Sequence, residues 1–266
     1  MDKEFDYLYL GHQTKDYQVE GSVSLDVIHR QRDSFFIDEP IEGYDRWQCY
    51  EVSFLLNQKP SFFMGYVDIP FSSSFIIESK SFKLYLNSFN GVSFLRISDF
   101  VSTVNRDLSA ALKISVDFKL IQKRSFSNFE NAYRCLDGLS IDLLPDVYSP
   151  SLLKIVSQDC YYQKYSTFLF RSVCPVTGQP DWACVYLHFY GPNICLPSLL
   201  MYLLSFRSHA GFHESVVDQI YVDLFDSYSL SYLTVYAKFN RRGGIDINPF
   251  RSNFERFSFH GASYSQ

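Results

Sequence analysis

Phe82, Tyr85, Leu86 and Phe89 recur at i, i+3, i+4 and i+7, the spacing that gathers side chains on one face of an α-helix. Leu199, Tyr202, Leu203 and Phe206 repeat it. Asp99 to Leu112 and Phe212 to Leu224 predict two further helices, the second with Phe212, Val216, Ile220 and Leu224 along one face. Other stretches are rich in β-branched and aromatic residues, are bounded by turn formers and predict strands: Trp47 to Leu56, Ser61 to Ile69, Ile114 to Ile121, Tyr165 to Val173, Trp182 to Tyr190 and Tyr232 to Phe239.

The two helical stripes are offset by 117 residues at all four positions, from 82, 85, 86 and 89 to 199, 202, 203 and 206. ESKSFKLYLNSF (Glu78 to Phe89) laid on CLPSLLMYLLSF (Cys195 to Phe206) matches Ser, Tyr, Leu, Ser and Phe. The order of predicted elements agrees as well, so a duplication is expected. LLPDVYSPSLLK (Leu143 to Lys154), with two prolines amid Asp and Ser, marks the border between modules 1–145 and 146–266. The halves differ in their chemistry. The first has Glu78, Lys80 and Lys83 where the second has Cys195, Pro197 and Leu200; the second has Cys174 and Asp181 where the first has Asn57 and Met64.

Composition narrows the classes. With 266 residues, 47% hydrophobic and 20% charged, the chain has material for a large core, and 26 Phe and 20 Tyr make that core bulky. A net charge of -5 argues against a general binder of nucleic-acid backbones. The start, MDKEFDYLYL, is acidic and lacks a long apolar core, so cytosol is the expected location. The longest apolar run, Ile194 to Phe206, contains Pro197 and falls short of the roughly 20 apolar residues that span a bilayer. Six cysteines show no CxxC spacing and are expected as free thiols. Five lie in or beside apolar runs and read as small buried groups; only Cys174 sits in turn-forming sequence.

Four segments carry candidate chemistry. In RSVCPVTGQPDWACVY (Arg171 to Tyr186), Cys174 is either a structural thiol or a nucleophile, and Asp181 is an acid able to protonate the atom that gains charge after attack. In SFRSHAGFHES (Ser205 to Ser215), His209 and His213 have the spacing of a metal pair, but Gly211 interrupts it. Glu214 near a helix start instead fits two donors of a purine-like ring, with His213 beside it. In FIIESKSFKLY (Phe75 to Tyr85), Glu78 and Ser79 sit where a strand passes into a helix, and Lys80 and Lys83 add positive charge at an end that favours phosphates; a solvated charged face is the plain alternative. In FNRRGGIDINPFRS (Phe239 to Ser252), Arg241 and Arg242 beside Gly243 and Gly244 suit a close approach to phosphate, or form an exposed Gly-Gly turn. Neither GxGxxG nor a P-loop is present, so a nucleotide would bind in another mode.

Together ESKSFKLYLNSFN, CPVTGQPDW, SFRSHAGFHE and RRGGIDINPFRS, in this order over most of the chain, resemble the NADPH-dependent 7-cyano-7-deazaguanine reductases, the nitrile reductases of queuosine biosynthesis in their longer, two-module type. The resemblance implies an α+β chain of two tandem tunnelling-fold modules, each an antiparallel sheet backed by two helices. It implies a homodimer with sites at interfaces, a small 7-deazapurine substrate, NADPH as cosubstrate, no metal, and no direct nucleic-acid or membrane partner. By the family pattern Cys174 forms a covalent thioimide and Asp181 donates the proton. His213 and Glu214 hold the deazaguanine, with Ile77, Glu78 and Ser79 lining its pocket, and Ser79, Lys80, Arg242 and Gly243 contact NADPH. Two features depart from the pattern: LGHQTKDYQVEGSVSLDVIHRQ (Leu10 to Gln31) lacks the usual proline-containing continuation, and Asn57 to Pro60 is a trimmed turn. Two other classes use the same residues: a zinc-dependent purine or pterin hydrolase with Cys174 and His213 as ligands, and a purine-binding module without catalysis.

Overall fold

Antiparallel strands and two pairs of helices make up the computed structural model, an α+β arrangement that describes residues 23–30, 41–121, 132–141 and 144–256. Of these, 23–30, 46–121 and 241–246 gather in one compact unit, and 41–45, 132–141, 144–240 and 247–256 in a second. Of the divergent stretch Leu10 to Gln31, only Val23 to Arg30 lies within the described residues.

The first unit contains strands β1 (Val27–His29), β2 (Glu42–Leu56, from Arg46), β3 (Lys59–Pro70) and β4 (Phe75–Ile77), helix α1 (Ser79–Asn87), β5 (Ser93–Phe94), helix α2 (Ile97–Leu112) and β6 (Lys119–Ile121). β3 lies between β2 and β6, β5 runs parallel on β2, and β1 and β4 form a separate antiparallel pair. Asn57 and Gln58, with φ of 50° and 65°, join β2 to β3 as a two-residue turn of the primed kind that matches strand twist. The core is a stack of rings. Phe54 lies flat on Phe100 at 4.3 Å, Phe89 and Phe94 meet Phe100 edge-on at 5.2 and 5.5 Å, and Phe118 closes on it at 6.3 Å. The stripe Phe82, Tyr85, Leu86, Phe89 is buried in it.

The second unit contains β7 (Arg134–Cys135), β8 (Ile155–Val173), β9 (Pro180–Ile194), helices α3 (Leu196–Ser205) and α4 (His213–Tyr228), β10 (Tyr232–Phe239) and, from Ile247, β11 (Ile245–Ser252). Its strand order is β11-β10-β9-β8-β7, antiparallel except for β7 on β8. Alternate residues of β9 (Ala183, Val185, Leu187, Phe189) meet Leu199, Leu203, Val216, Ile220 and Leu224 of the helices in one core. Pro197 sits in the first turn of α3, where its missing N–H costs nothing. Helices α1 and α3 begin 117 residues apart, at 79 and 196, and α2 and α4 begin 116 apart, at 97 and 213. Each pair follows a hairpin of two long strands, as a duplication requires.

The structure differs from the sequence reading at several places, β8 reaching back to Ile155 among them. The strand expected over Ile114 to Ile121 shrinks to Lys119–Ile121, because Ser109 and Asn105 of α2 capture the N–H groups of Val116 and Phe118 at 3.2 and 2.5 Å. β11 was hidden by Pro249 and the adjacent glycines. Cys135 and Cys160 are exposed, unlike the buried Cys49 and Cys184, since Cys135 lies in a short exposed strand and Cys160 in the polar first half of β8. Among the described residues no helix is long and apolar enough to cross a membrane.

Phe100→Ala should cost about 3–5 kcal/mol in chemical denaturation, because four rings lose their common contact. Phe62→Ala, at a position 66% exposed, should change stability by less than about 0.5 kcal/mol.

Candidate active site

Residues Cys174 to Gln179 form the turn of the β8–β9 hairpin. The Cys174 N–H donates to the Gln179 carbonyl at 2.9 Å and the Gly178 N–H to the Cys174 carbonyl at 3.0 Å. Gly178 has φ +67°, a conformation that favours glycine. Below the turn Val173 faces Pro180 and Ser172 faces Asp181. Ser172 and Asp181 are thus cross-strand partners, and Cys174 opens the turn two residues beyond Ser172. Asp181 therefore belongs to a strand, not to the loop that the sequence indicated. Asp181 is buried and Cys174 half-buried.

His213 opens α4 and stacks flat on Phe239 of β10, with ring centres 3.9 Å apart and planes 7° apart. That stacking fixes the imidazole plane, and Nε2 lies 3.4 Å from Asp181 Oδ1. Glu214, the next residue, is buried in the first turn of the helix, where a carboxylate is favoured by the helix dipole. His213 Nδ1 and Ser172 Oγ are buried without hydrogen-bond partners. Such orphans cost about 1–3 kcal/mol each and are uncommon in a purely structural network. His209 lies before the helix and packs against Tyr148 and Phe206, so it shares no helical turn with His213. Among the described residues no three His, Cys, Asp or Glu side chains are grouped to hold a metal ion.

The first unit holds the second set. Ile77 ends β4, Glu78 caps α1 and Ser79 begins it. Glu78 accepts from the N–H groups of Lys80 and Ser81 at 2.9 and 2.6 Å. Those N–H groups are therefore not free for a phosphate, which corrects the expectation of anion binding by the bare helix end; the protein supplies the anion itself. Positive charge gathers beside it. At Gly243, with φ +58°, an added Cβ would lie 2.9 Å from Lys83 Cδ and 3.1 Å from its Nζ, so the Lys83 ammonium rests against bare backbone next to Arg242. Arg241 lies over the Tyr50 ring at 5.0 Å, and Tyr50 donates to Asp246 at 2.7 Å, which anchors the arginine-glycine turn.

The structure thus brings together Cys174, Asp181, His213 and Glu214 in one unit, and Ile77, Glu78, Ser79, Lys80, Arg242 and Gly243 in the other. The approach of His213 to Asp181 was missed from sequence, because 32 positions separate the two residues in the chain and only the fold joins them.

A family model described as "Nitrile reductase, 7-cyano-7-deazaguanine-reductase N-term" matches residues 20–120, and one described as "QueF-like protein" matches residues 180–257. The NADPH-dependent 7-cyano-7-deazaguanine reductase of Burkholderia lata is 43% identical over 224 residues, 82% of this chain and 81% of its own length. The chain belongs to this reductase family. The enzyme of the same name from Burkholderia ambifaria is 42% identical over 224 residues, with the same shares of both chains. The apo crystal structure of the archaeosine synthase QueF-Like aligns with 36% of this chain and 94% of its own at 16% identity and a TM-score of 0.31, too small a likeness to add to the assignment. The first match spans Ile77 to Lys80 and the second Asp181, His213, Glu214, Arg242 and Gly243, while Cys174 lies between the two matched segments.

Glu78→Ala should lower stability by about 1 kcal/mol in chemical denaturation, through loss of the α1 cap. Burial among Tyr148 and Phe206 pushes the His209 imidazole pKa down, against a weaker upward pull from Asp223. The unfolded chain then binds the proton more readily. Its contribution is complete above the ordinary histidine value of about 6.5 and is lost as pH falls below it. Melting temperatures followed from about pH 8 to pH 5 should fall less steeply for His209→Gln than for the wild type.

Proposed function

We propose that this chain reduces the nitrile of 7-cyano-7-deazaguanine to the primary amine of 7-aminomethyl-7-deazaguanine, the nitrile step of queuosine biosynthesis. One observation carries the reading: in a chain of this family, a half-buried thiol opens the turn of a hairpin whose next strand bears a buried carboxyl that a stacked histidine approaches at 3.4 Å.

Cys174 is the nucleophile. It attacks as the thiolate, the form in which it later departs: its sulfur forms a bond to the nitrile carbon, one π pair of the C≡N bond moves to nitrogen, and Asp181 gives that nitrogen a proton. A thioimide results, a better hydride acceptor than the nitrile, held in place by its own covalent bond. His213, beside the carboxyl, returns a proton to Asp181. After the first reduction the C–S bond breaks and Cys174 departs as thiolate, leaving an imine that the second reduction takes to the amine. Two hydrides and two protons balance the conversion. Glu214 accepts hydrogen bonds from the deazaguanine ring edge with His213 beside it, and Ile77, Glu78 and Ser79 are the substrate-binding residues of the first unit.

NADPH, when bound, supplies the two hydrides. The donor set suits it: Lys80, Lys83, Arg241 and Arg242 offer four cations to its phosphates, and the bare Gly243 backbone beside the Lys83 ammonium admits a phosphate closely. Ser79, Lys80, Arg242 and Gly243 are its contacts. The modules 1–145 and 146–266 divide this work, the first carrying the ESKSFKLY motif and the second the Cys/Asp and His/Glu pairs. The enzyme acts as a homodimer in the cytoplasm on a free small molecule, without direct nucleic-acid contact.

Protein mixed with 7-cyano-7-deazaguanine and NADPH should consume NADPH and form the amine. Without NADPH, mass spectrometry should find one substrate bound covalently at Cys174, and none in Cys174→Ala; an adduct at another cysteine overturns the assignment. Asp181→Asn should slow turnover by roughly 100-fold or more, and an unimpaired rate removes its role as proton donor.

A further inference from the structure

From Leu169 to Val173 the link between α3 and α4 runs beside β8 and bonds to it. Val173 donates to the His209 carbonyl at 3.0 Å and accepts from the Gly211 N–H at 3.0 Å, a parallel bridge centred on Ala210. Two arginines extend this seam in opposite directions. The Arg171 guanidinium, on β8, donates to the Arg207 carbonyl on the link at 2.8 Å. The Arg207 guanidinium, on the link, donates to the Leu169 carbonyl on β8 at 3.0 Å. Each is a long side chain reaching across to the other's backbone. The link is also tight against α4 at Gly211, where a Cβ would lie 3.0 Å from Val216 Cγ2.

Both guanidiniums lie over the Trp182 ring, at 5.9 and 5.4 Å, and neither pairs with a carboxylate among the described residues. Both Nε atoms are buried without a partner. Burial, with the neighbouring Arg171 charge, pulls the Arg207 pKa down. Two like charges side by side, each with an orphaned Nε donor, offset part of what the ring contacts and hydrogen bonds contribute, so stability alone does not explain the pair. The seam lies where it matters: Arg171 is three residues before Cys174, Trp182 follows Asp181, and the link runs directly into His213 and Glu214.

We propose that Arg171 and Arg207 are positioning residues, a reciprocal clasp that locks the hairpin end bearing Cys174 and Asp181 to the helix start bearing His213 and Glu214. The inference rests on the proposed function for its chemistry: the link carries the groups that hold the ring, the hairpin carries the sulfur that attacks the nitrile, and the clasp sets one against the other. The rigid planar fork explains the choice of arginine, since a lysine ammonium on a flexible stem constrains its acceptor less.

The test compares wild type with Arg171→Met and Arg207→Met, which keep an apolar stem, and with Arg207→Lys, which keeps charge and one donor. Amide exchange at Val173 and Gly211 should quicken at least about tenfold in the Met variants. Covalent capture of 7-cyano-7-deazaguanine at saturation should slow by roughly 10- to 100-fold, the scale of a small misplacement of reacting groups. Binding of 7-deazaguanine, which lacks the nitrile, should change by less than about threefold, because Glu214 and His213 still hold the ring. Arg207→Lys should fall between, and it serves if Arg207→Met does not fold. Unchanged capture overturns the proposal, as does loss of capture in step with 7-deazaguanine binding, the mark of a merely structural role. If wild type itself captures no nitrile, the proposed function fails, and with it the clasp's catalytic purpose, while amide exchange still shows whether the clasp holds the hairpin.

Discussion

Antiparallel pairing of β8 with β9 is the constraint on which the chemistry of the second unit depends. A strand's side chains alternate with period two, so the register that sets Ser172 against Asp181 fixes the face on which that carboxyl stands. A slip of one residue would send Asp181 to the other face and turn Ala183, Val185, Leu187 and Phe189 out of the core. Each large side chain in that set is worth about 1.5–3 kcal/mol buried. The hydrophobic core thus enforces the site: apolar residues with no part in the reaction determine where the thiol and the carboxyl stand.

The two units show one scaffold put to two uses. Position 57 corresponds to position 174 under the 117-residue offset, and both follow the first strand of a long hairpin. In the first unit the strands close through two residues, Asn57 and Gln58, both at positive φ. In the second, six residues from Cys174 to Gln179 form the turn, with Gly178 taking the positive φ and room for a reactive side chain. A similar exchange occurs where each hairpin passes into its helix. Glu78 caps α1 through its carboxylate, whereas α3 starts at Cys195 with no side-chain cap and a proline in its first turn. Scaffold elements follow the core pattern, while the connections carry the differences.

Charge is handled in contrasting ways. Arg251 is wholly buried between Asp45 and Asp218, at 2.8 and 2.6 Å, so the ion pairs offset its desolvation. The paired carboxylates and bonds outweigh burial and hold its pKa above the ordinary arginine value. Arg171 and Arg207 have only carbonyl acceptors and each other, and the Arg207 pKa moves down. The first arrangement secures a fold, whereas the second leaves donors unpaired beside the β8–β9 hairpin.

Helices, principal strands and the duplication were legible in the sequence, because the 3.6-residue stripe and the runs of β-branched and aromatic residues are local consequences of burial on one face. The motifs gave the family, since their residue types and order are one-dimensional. Where a polar half-strand joined an apolar one, as in β8, or a proline and two glycines masked a strand, as at β11, the local signal misled. Side-chain capture of the Val116 and Phe118 amides by α2 left no periodic trace. Only the tertiary structure brought His213 to Asp181, filled the α1 N-terminus with Glu78, and crossed Arg171 and Arg207 between strand and link. Those contacts depend on the packing of elements distant in the chain or on the direction of a side chain, and neither is encoded in the spacing of residues along it.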